Sequence, residues 1–173
     1  IDLDFLQNDE ETIQEFFENL PEEDENSTPS HDSIIERFET ASKFPNIKVA
    51  KDGLIYNING SKTFVCGGAY SVDKYYRIQM GRNWFSDEQP SDETKQLAES
   101  NLEKASWKVE YVLTHTCPIG FEPTELFLGF LDQSTVDKTT EIWLRKIEMN
   151  LNYNHWYFGH FHGDRNINDK TSI

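Results

Sequence analysis

Residues 54–69 read LIYNINGSKTFVCGGA, two strand-like runs on either side of Asn59-Gly60. Asn-Gly between two such runs is the strongest short signal for a β-hairpin, because both residues tolerate the positive φ of a two-residue turn. After Cys66, the Gly67-Gly68-Ala69 sequence predicts a loop in which the backbone turns sharply or approaches another group closely. This stretch therefore predicts a hairpin of strands 54–58 and 63–66 that leads into a glycine-rich loop.

Strand and helix patterns alternate through the rest of the chain from residue 46 onward, which predicts an α/β domain with a mixed sheet and flanking helices. Ser91 followed by Asp92 and Glu93 predicts the start of a helix, since acidic residues in the first turn suit the helix dipole. The predicted strands are 47–50, 108–114 and 155–159, the predicted helices are 91–105 and 135–151, and the predicted irregular segments are 70–90 and 117–131.

Residues 1–45 read as a separate acidic and helical segment that precedes the domain of residues 46–173. Apolar spacing and capping residues predict helices over 9–20 and 32–42 with an acidic loop between them. Residues 1–40 hold 14 acidic residues and one basic residue, a net charge of −13 within a chain of net charge −15. Such a field repels free nucleic acid and attracts basic surfaces, including those of nucleic-acid-binding proteins. The alternative is a solvated acidic flank.

The sequence argues against membrane and secreted classes. It contains no run of eighteen apolar residues, so no transmembrane helix is expected. No signal peptide is visible at the start of the chain, and a cytoplasmic location is therefore expected. Cys66 and Cys117 are accordingly expected to be buried free thiols rather than a disulfide. The chain starts at Ile1 rather than Met, which indicates processing or trimming, and its coherent helices favour a naturally short protein.

Three of the five histidines follow the carboxyl end of a predicted strand, where open α/β sheets bind their ligands. These are His115, His160 and His162. Imidazole is the commonest metal-binding side chain, and His-x-His in an extended stretch puts both rings on one side. The pattern leaves two readings open: a metal site, or polar residues satisfied by their neighbours. The second reading is assigned to His31 and His155.

Two motifs and the segments between them carry a family resemblance. Gly159-His160-Phe161-His162 resembles the final motif of the calcineurin-like metallophosphoesterases, and residues 113–118, LTHTCP, resemble the motif before it. The resemblance is to a bacterial and phage branch of that family and covers about residues 46–165. The connecting segments that fit this branch are GGAYSVDK at 67–74, WF at 84–85, QPS at 89–91 and STVD at 134–137.

The resemblance implies a partial metallophosphoesterase-like sandwich with a two-metal site. His115 and His160 would ligate one ion and His162 the other, with Mn²⁺ expected and Fe or Zn²⁺ as alternatives. In the family, such ions polarise a phosphoryl group and generate the attacking hydroxide. Asp73 and Arg77 would border the substrate, and the Arg77 guanidinium matches a phosphate. The alternative for Asp73 and Arg77 is a surface ion pair.

The chain departs from the family pattern in its carboxylates. It contains neither Asp-x-His nor Gly-Asn-His, and its one Gly-Asp, Gly163-Asp164, follows the last motif. Three explanations stand: the missing half was trimmed, the scaffold was reused without catalysis, or the site was rebuilt. If the strands of the missing half are absent, the sheet face that they would have covered would pack against the N-terminal helices or against a second copy in a homodimer. The candidates for a rebuilt site are Asp2, Asp4, His31 and Asp164.

These features lead to two functional hypotheses. The first is a metal-dependent phosphodiesterase or nuclease, an anti-defence factor that cuts RNA, or another phosphodiester, held by a basic partner. A CRISPR effector nuclease is one such partner, docked through acidic residues 1–40. The second is a non-catalytic acidic inhibitor, a nucleic-acid mimic of anti-CRISPR or anti-restriction type on a reused scaffold. The histidines are needed by the first hypothesis alone.

Overall fold

A computed structural model describes residues 49–127, 129 and 132–173 of this chain. The predicted helices at 9–20 and 32–42, together with Asp2, Asp4 and His31, lie outside these residues. The strands are β1 (Leu54–Ile58), β2 (Ser61–Cys66), β3 (Tyr111–Thr114), β4 (His155–Phe158), β5 (Asn166–Asn168) and β6 (Thr171–Ser172); the helices are α1 (Lys74–Gln79), α2 (Asp92–Lys104) and α3 (Thr139–Asn150), with 3₁₀ turns at Thr124–Leu126 and Gln133–Thr135.

The six strands form one mixed sheet in the order β1-β2-β3-β4-β6-β5. The three central pairings, β2 with β3, β3 with β4 and β4 with β6, are parallel. The outer pairings, β1 with β2 and β5 with β6, are antiparallel hairpins. The expected α/β class with a mixed sheet is therefore confirmed. A second sheet, as a sandwich requires, is not found among the residues described.

One row of side chains across the parallel strands organises the core. Phe64 of β2 lies opposite Val112 of β3, which lies opposite Trp156 of β4, and all three are fully buried. Helices α2 and α3 pack on this row through Leu102, Leu144 and their neighbours in one cluster. The connections β2-α2-β3 and β3-α3-β4 both move one strand along the sheet in the same direction. Because such connections are almost always right-handed, both helices lie on the same face of the sheet.

The opposite face of the sheet is only partly covered. Tyr111, Leu113 and Tyr157 alternate with the buried row along the same strands, and each is more than a third exposed. A face of this kind is where the expected second copy or N-terminal segment would pack. The homodimer stays a prediction.

The local predictions with the clearest turn and capping chemistry are confirmed. Asn59 and Gly60 have φ values of 50° and 87°, as a primed two-residue turn requires. The Ser91 side chain accepts a hydrogen bond from the Thr94 backbone N–H at 3.2 Å and so caps α2. Cys66 and Cys117 are free and buried.

Other predicted boundaries were wrong. The segment 70–90 is not wholly irregular, because it contains α1, and β4 is followed by two further short strands. The third helix begins at Thr139 rather than 135, since the Asp137 carboxylate accepts the Thr139 N–H and residues 133–135 form a 3₁₀ turn. Lys108 makes an isolated bridge with Asn152 before β3. The predicted strand 47–50 lies partly outside the described residues, and Val49 and Ala50 are irregular. Within the described part of the chain, no helix is long and apolar enough to cross a membrane.

Truncation of Leu102 should test whether α2 is held by the core described above. Leu102 is fully buried, so Leu102→Ala should lower the free energy of unfolding by about 2–5 kcal/mol through lost burial and a residual cavity. Leu97 lies on the same helix and is 45% exposed. The matched variant Leu97→Ala should change stability by less than about 0.5 kcal/mol. Urea unfolding of both variants measures the difference, and equal losses would contradict this packing.

Candidate functional site

The candidate site lies where the parallel strands β2, β3 and β4 end together. The His115 backbone N–H donates to the Cys66 carbonyl at 3.3 Å, and the Gly159 N–H donates to the His115 carbonyl at 3.0 Å. These bonds continue the strand pairing by one step beyond Thr114 and hold the three following loops side by side. The expected position of the histidines, beyond the carboxyl ends of the strands, is confirmed for His115 and for the loop of His160 and His162.

His115 and His160 meet through their ring nitrogens. His160 Nδ1 lies 3.3 Å from His115 Nε2, and the two rings are edge to face with centroids 5.0 Å apart. Phe161 also lies edge to face with the His160 ring, at 4.9 Å between centroids. His162 is exposed beside this pair. The structure thus brings two of the three predicted histidines into contact.

The backbone that carries His160 and His162 is not extended. Their φ values are 65° and 52°, in the left-handed region that few side chains other than Asn, Asp and His adopt. The expected extended conformation of His160-Phe161-His162 is therefore wrong. The chain turns at each histidine, so that the His160 ring faces His115 while His162 stays at the surface.

Burial and mutual repulsion keep both paired imidazoles neutral. Burial lowers the pKa of His160 to about 4, helped by the positive charges that His115 and His162 would carry; the Glu88 carboxylate opposes this shift. The pKa of His115 is lowered by the same loss of hydration and by His162. His115 is exposed overall, but its Nε2 faces His160 rather than solvent. Neutral imidazole is the form that binds metal ions.

A buried hydrogen-bond chain fixes the segment on either side of His115. Thr114 Oγ1 donates to the Thr116 carbonyl at 2.6 Å and accepts from Trp156 Nε1 at 2.7 Å. Thr116 Oγ1 in turn donates to Glu141 Oε1 at 2.7 Å. Both neighbours of His115 are therefore anchored to the core, one through β4 and one through α3.

Glu141 is an acidic residue in an apolar environment. It is buried, and its Oε2 has no hydrogen-bond partner among the described residues. Burial raises the pKa of its carboxyl, which the hydrogen bond from Thr116 partly offsets. No sequence motif marks Glu141, although its position among the buried residues Thr140, Trp143 and Leu144 of α3 puts it on the core-facing side of the helix.

A second carboxylate, Glu88, closes the loop that follows β2. Its Oε1 accepts from the Ser71 N–H at 3.0 Å, and its Oε2 accepts from Trp84 Nε1 at 2.8 Å. Gly68 has a φ of 88°, and a Cβ there would lie 2.8 Å from the Glu88 carbonyl oxygen. The predicted close approach at the glycine-rich loop is confirmed. Sequence spacing gave no signal for Glu88, because the loop brings it to His160 only in the folded chain.

The other predicted site residues have simpler surroundings. Asp73 Oδ2 accepts from Arg77 Nε at 2.7 Å in an ion pair whose side chains are both 46% exposed. The surface ion pair named as the alternative is therefore present, and a substrate role stays a prediction. His155 Nε2 lies 2.7 Å from Ser172 Oγ, which confirms a histidine satisfied by its neighbour. Asp164, a candidate for a rebuilt site, is exposed. Burial raises the pKa of the Cys66 thiol to about 12.

The geometry of the pair fits two ligands of one ion, but the described residues do not complete a ligand set. Two imidazole nitrogens bound to a tetrahedral ion at about 2.0–2.1 Å lie roughly 3.3–3.4 Å apart. The observed separation of 3.3 Å agrees with this arrangement, and it agrees equally with an N–H···N hydrogen bond. In the part of the chain that is described, no group of three or more His, Cys, Asp or Glu is arranged to hold a metal ion. The metal, Mn²⁺, Fe or Zn²⁺, stays a prediction.

Comparison of the chain with family models, with curated proteins and with solved structures finds no match. The resemblance to the metallophosphoesterases therefore stays a prediction that rests on the two histidine motifs and the segments between them.

The hydrogen bond between Thr116 and Glu141 should behave as a buried pair. Thr116→Val removes the donor and leaves Glu141 without a partner, so the free energy of unfolding should fall by about 1–3 kcal/mol. The double variant Thr116→Val, Glu141→Leu replaces both polar groups by apolar ones and should lose less than the single variant. Urea unfolding of the two variants and of Glu141→Leu gives a double-mutant cycle. Additive losses would show that the two side chains are not coupled.

The metal-free protein should lose stability in mild acid because of His160. With a folded-state pKa of about 4 against 6.5 for the free side chain, His160 takes up a proton more readily when the chain is unfolded. Its contribution, on the order of 2 kcal/mol, is present above pH 6.5 and lost as the pH falls toward 4. Unfolding of wild type and His160→Gln in EDTA at pH 7 and pH 4.5 measures this. The variant should lose less stability; an equal loss in both proteins would contradict the assigned pKa.

Proposed function

We propose that this protein is a metal-dependent phosphodiesterase of nuclease type whose ion is held by His115 and His160. The observation that supports the proposal best is the 3.3 Å separation of His115 Nε2 and His160 Nδ1 at the carboxyl end of the parallel strands. Two imidazoles from neighbouring strand-end loops bring ring nitrogens together, and their lowered pKa values leave each ring neutral at pH 7, with one unprotonated nitrogen available to a metal ion.

A divalent ion at this position would polarise a phosphoryl oxygen and supply a hydroxide at neutral pH. The chain's own residues would do the rest. Thr114 and Thr116 anchor the backbone on either side of His115 to the core, which would keep this ligand at a fixed place. His162 stands at the solvent edge of the pair, where it would contribute a further imidazole. Arg77, held by Asp73, would contact a substrate phosphate.

The acidic N-terminal segment favours a substrate that is held by another protein. Residues 1–40 carry a net charge of −13, which repels free RNA and attracts a basic nucleic-acid-binding surface. An anti-defence factor that docks on a CRISPR effector nuclease and cuts its RNA would use both the acidic segment and the histidines. The same charge favours the second candidate, a non-catalytic acidic inhibitor that mimics nucleic acid and leaves the histidine pair unused.

A metal-dependent cleavage assay separates the two candidates. With Mn²⁺ and labelled RNA, alone or bound to a basic partner protein, wild type should cleave, and His160→Ala should lose activity because one ligand is gone. His155→Ala is the matched control, since that histidine begins β4, the strand that precedes His160, and bonds to Ser172 instead. Mn²⁺ at a hundred times its Kd should also stabilise wild type by about 2.7 kcal/mol, and His160→Ala much less.

Two results would count against the enzyme. If Mn²⁺, Fe²⁺ and Zn²⁺ neither stabilise the protein nor support cleavage, the histidine pair is a hydrogen-bonded pair and not a metal site. If His160→Ala still blocks the partner protein as wild type does, the acidic inhibitor is the better description.

A further inference from the structure

Helix α1 exposes two aromatic side chains that the core does not use. No residue of α1 is buried, and Tyr75 is 74% and Tyr76 52% exposed. A six-residue helix is far too short to be stable by itself, and this one gains nothing from core packing. Exposed rings that contribute little to folding point to a binding role. We refer to residues 70–85 as the aromatic platform; its five aromatic residues are Tyr70, Tyr75, Tyr76, Trp84 and Phe85.

The aromatic platform is basic within an acidic chain. It holds three basic residues and one acidic residue, a local net charge of +2 in a protein of net charge −15. The cations lie against the rings: Lys74 Nζ is 4.1 Å from the Trp84 ring centroid, and the Arg82 guanidinium carbon is 5.7 Å from that of Tyr76. Arg77 is oriented by Asp73 at 2.7 Å. Rings and cations therefore alternate over one short surface segment.

The platform also borders the histidine pair. Glu88 binds both of its ends, through the Ser71 N–H and Trp84 Nε1, and the Ala69 N–H donates to the Glu88 carbonyl at 3.0 Å. The platform begins four residues after Cys66, whose carbonyl accepts the His115 backbone N–H at 3.3 Å, so it leaves the sheet beside the loop of His115. A strand bound along the platform would thus pass close to the histidine pair.

We propose that the aromatic platform binds single-stranded nucleic acid, with bases stacked on Tyr75 and Tyr76 and phosphates bound by Lys74 and Arg82. Stacking requires unpaired bases, whose faces are free, while a duplex hides them. The local positive charge favours an anionic strand over an acidic or neutral partner. The inference rests on the proposed phosphodiesterase, because it names the substrate as a single strand that the platform leads to the histidine pair.

Binding without cleavage tests this inference separately. The full chain in EDTA is titrated into a fluorescein-labelled oligouridylate 12-mer and into a 12-base-pair RNA duplex, and the anisotropy is followed. The single strand should bind more tightly. Tyr75→Ala should weaken its binding roughly 5- to 100-fold through one lost stack, whereas Tyr75→Phe should retain it. Met149→Ala is the matched control, because Met149 on α3 is 72% exposed and far along the chain from the platform.

Charge supplies a second readout. The logarithm of the binding constant should fall with the logarithm of salt concentration with a slope of about −1.4 for the two phosphate contacts of Lys74 and Arg82 on a single strand, and Arg82→Gln should reduce the size of that slope by about 0.7. Since Tyr75, Arg82 and Met149 are exposed, all the variants should keep the circular dichroism spectrum and unfolding midpoint of wild type.

Three outcomes would overturn the inference: no binding of the single strand at any salt concentration, equal binding of wild type and Tyr75→Ala, or tighter binding of the duplex. If Tyr75→Ala instead converts a dimer to a monomer in light scattering, the platform is a contact between two copies. The binding and cleavage measurements can fail separately. Binding that depends on Tyr75 with no cleavage under any ion would refute the phosphodiesterase and leave the platform as a binding surface, and cleavage unaffected by Tyr75→Ala would do the reverse.

Discussion

The register of the three parallel strands controls everything that the candidate site does. Phe64, Val112 and Trp156 lie side by side in that register and are fully buried, so a slip of one residue would turn all three toward the opposite face. With the row fixed, Cys66, Thr114 and Phe158 are also level with one another. The loops that follow then start at the same height, and His115 meets His160 because of this alignment.

A hydrogen-bond chain links the core to the contact between the two rings. Trp156 belongs to the buried row, and its Nε1 also donates to Thr114 next to His115. Thr116, on the other side of His115, is tied to the buried Glu141 of α3. The backbone on either side of His115 is therefore anchored to the core, although the His115 side chain is exposed. A fixed backbone of this kind suits a ligand, because the position from which the side chain reaches an ion is then set.

Sequence patterns predicted the parts of this structure that depend on neighbouring residues. Asn59-Gly60 specifies its hairpin by backbone preference, and Ser91 specifies a helix start by its own hydroxyl. The positions of His115 and His160 could be predicted because both follow strand ends. Helix α1 was missed because it buries no face and so has no apolar period, and β5 and β6 because they have three and two residues.

The details of the site depend on contacts that no local pattern carries. The left-handed backbone at His160 and His162 could not be predicted, since His tolerates that conformation without requiring it and no neighbouring residue specifies it. Glu88 reaches the site only because the loop after β2 folds back on Gly68. Glu141 had a sequence signal, a carboxylate within an apolar stripe, but its partner Thr116 comes from a different element.

The electrostatic field of residues 1–40 and the stacking surface of the aromatic platform act over different distances. One acidic chain can therefore carry both the proposed contact with a basic protein and the proposed contact with a nucleic-acid strand. The field of residues 1–40 extends over a Debye length, about 8 Å at physiological ionic strength, so it selects basic proteins and disfavours free nucleic acid. Stacking on Tyr75 and Tyr76 acts only at ring contact and is not screened by salt. A strand already carried by a basic protein arrives with much of its phosphate charge neutralised. The long-range repulsion would then be reduced while the short-range attraction of the platform remained, so we expect a strand bound to a basic protein to be a better ligand for the proposed platform than a free one.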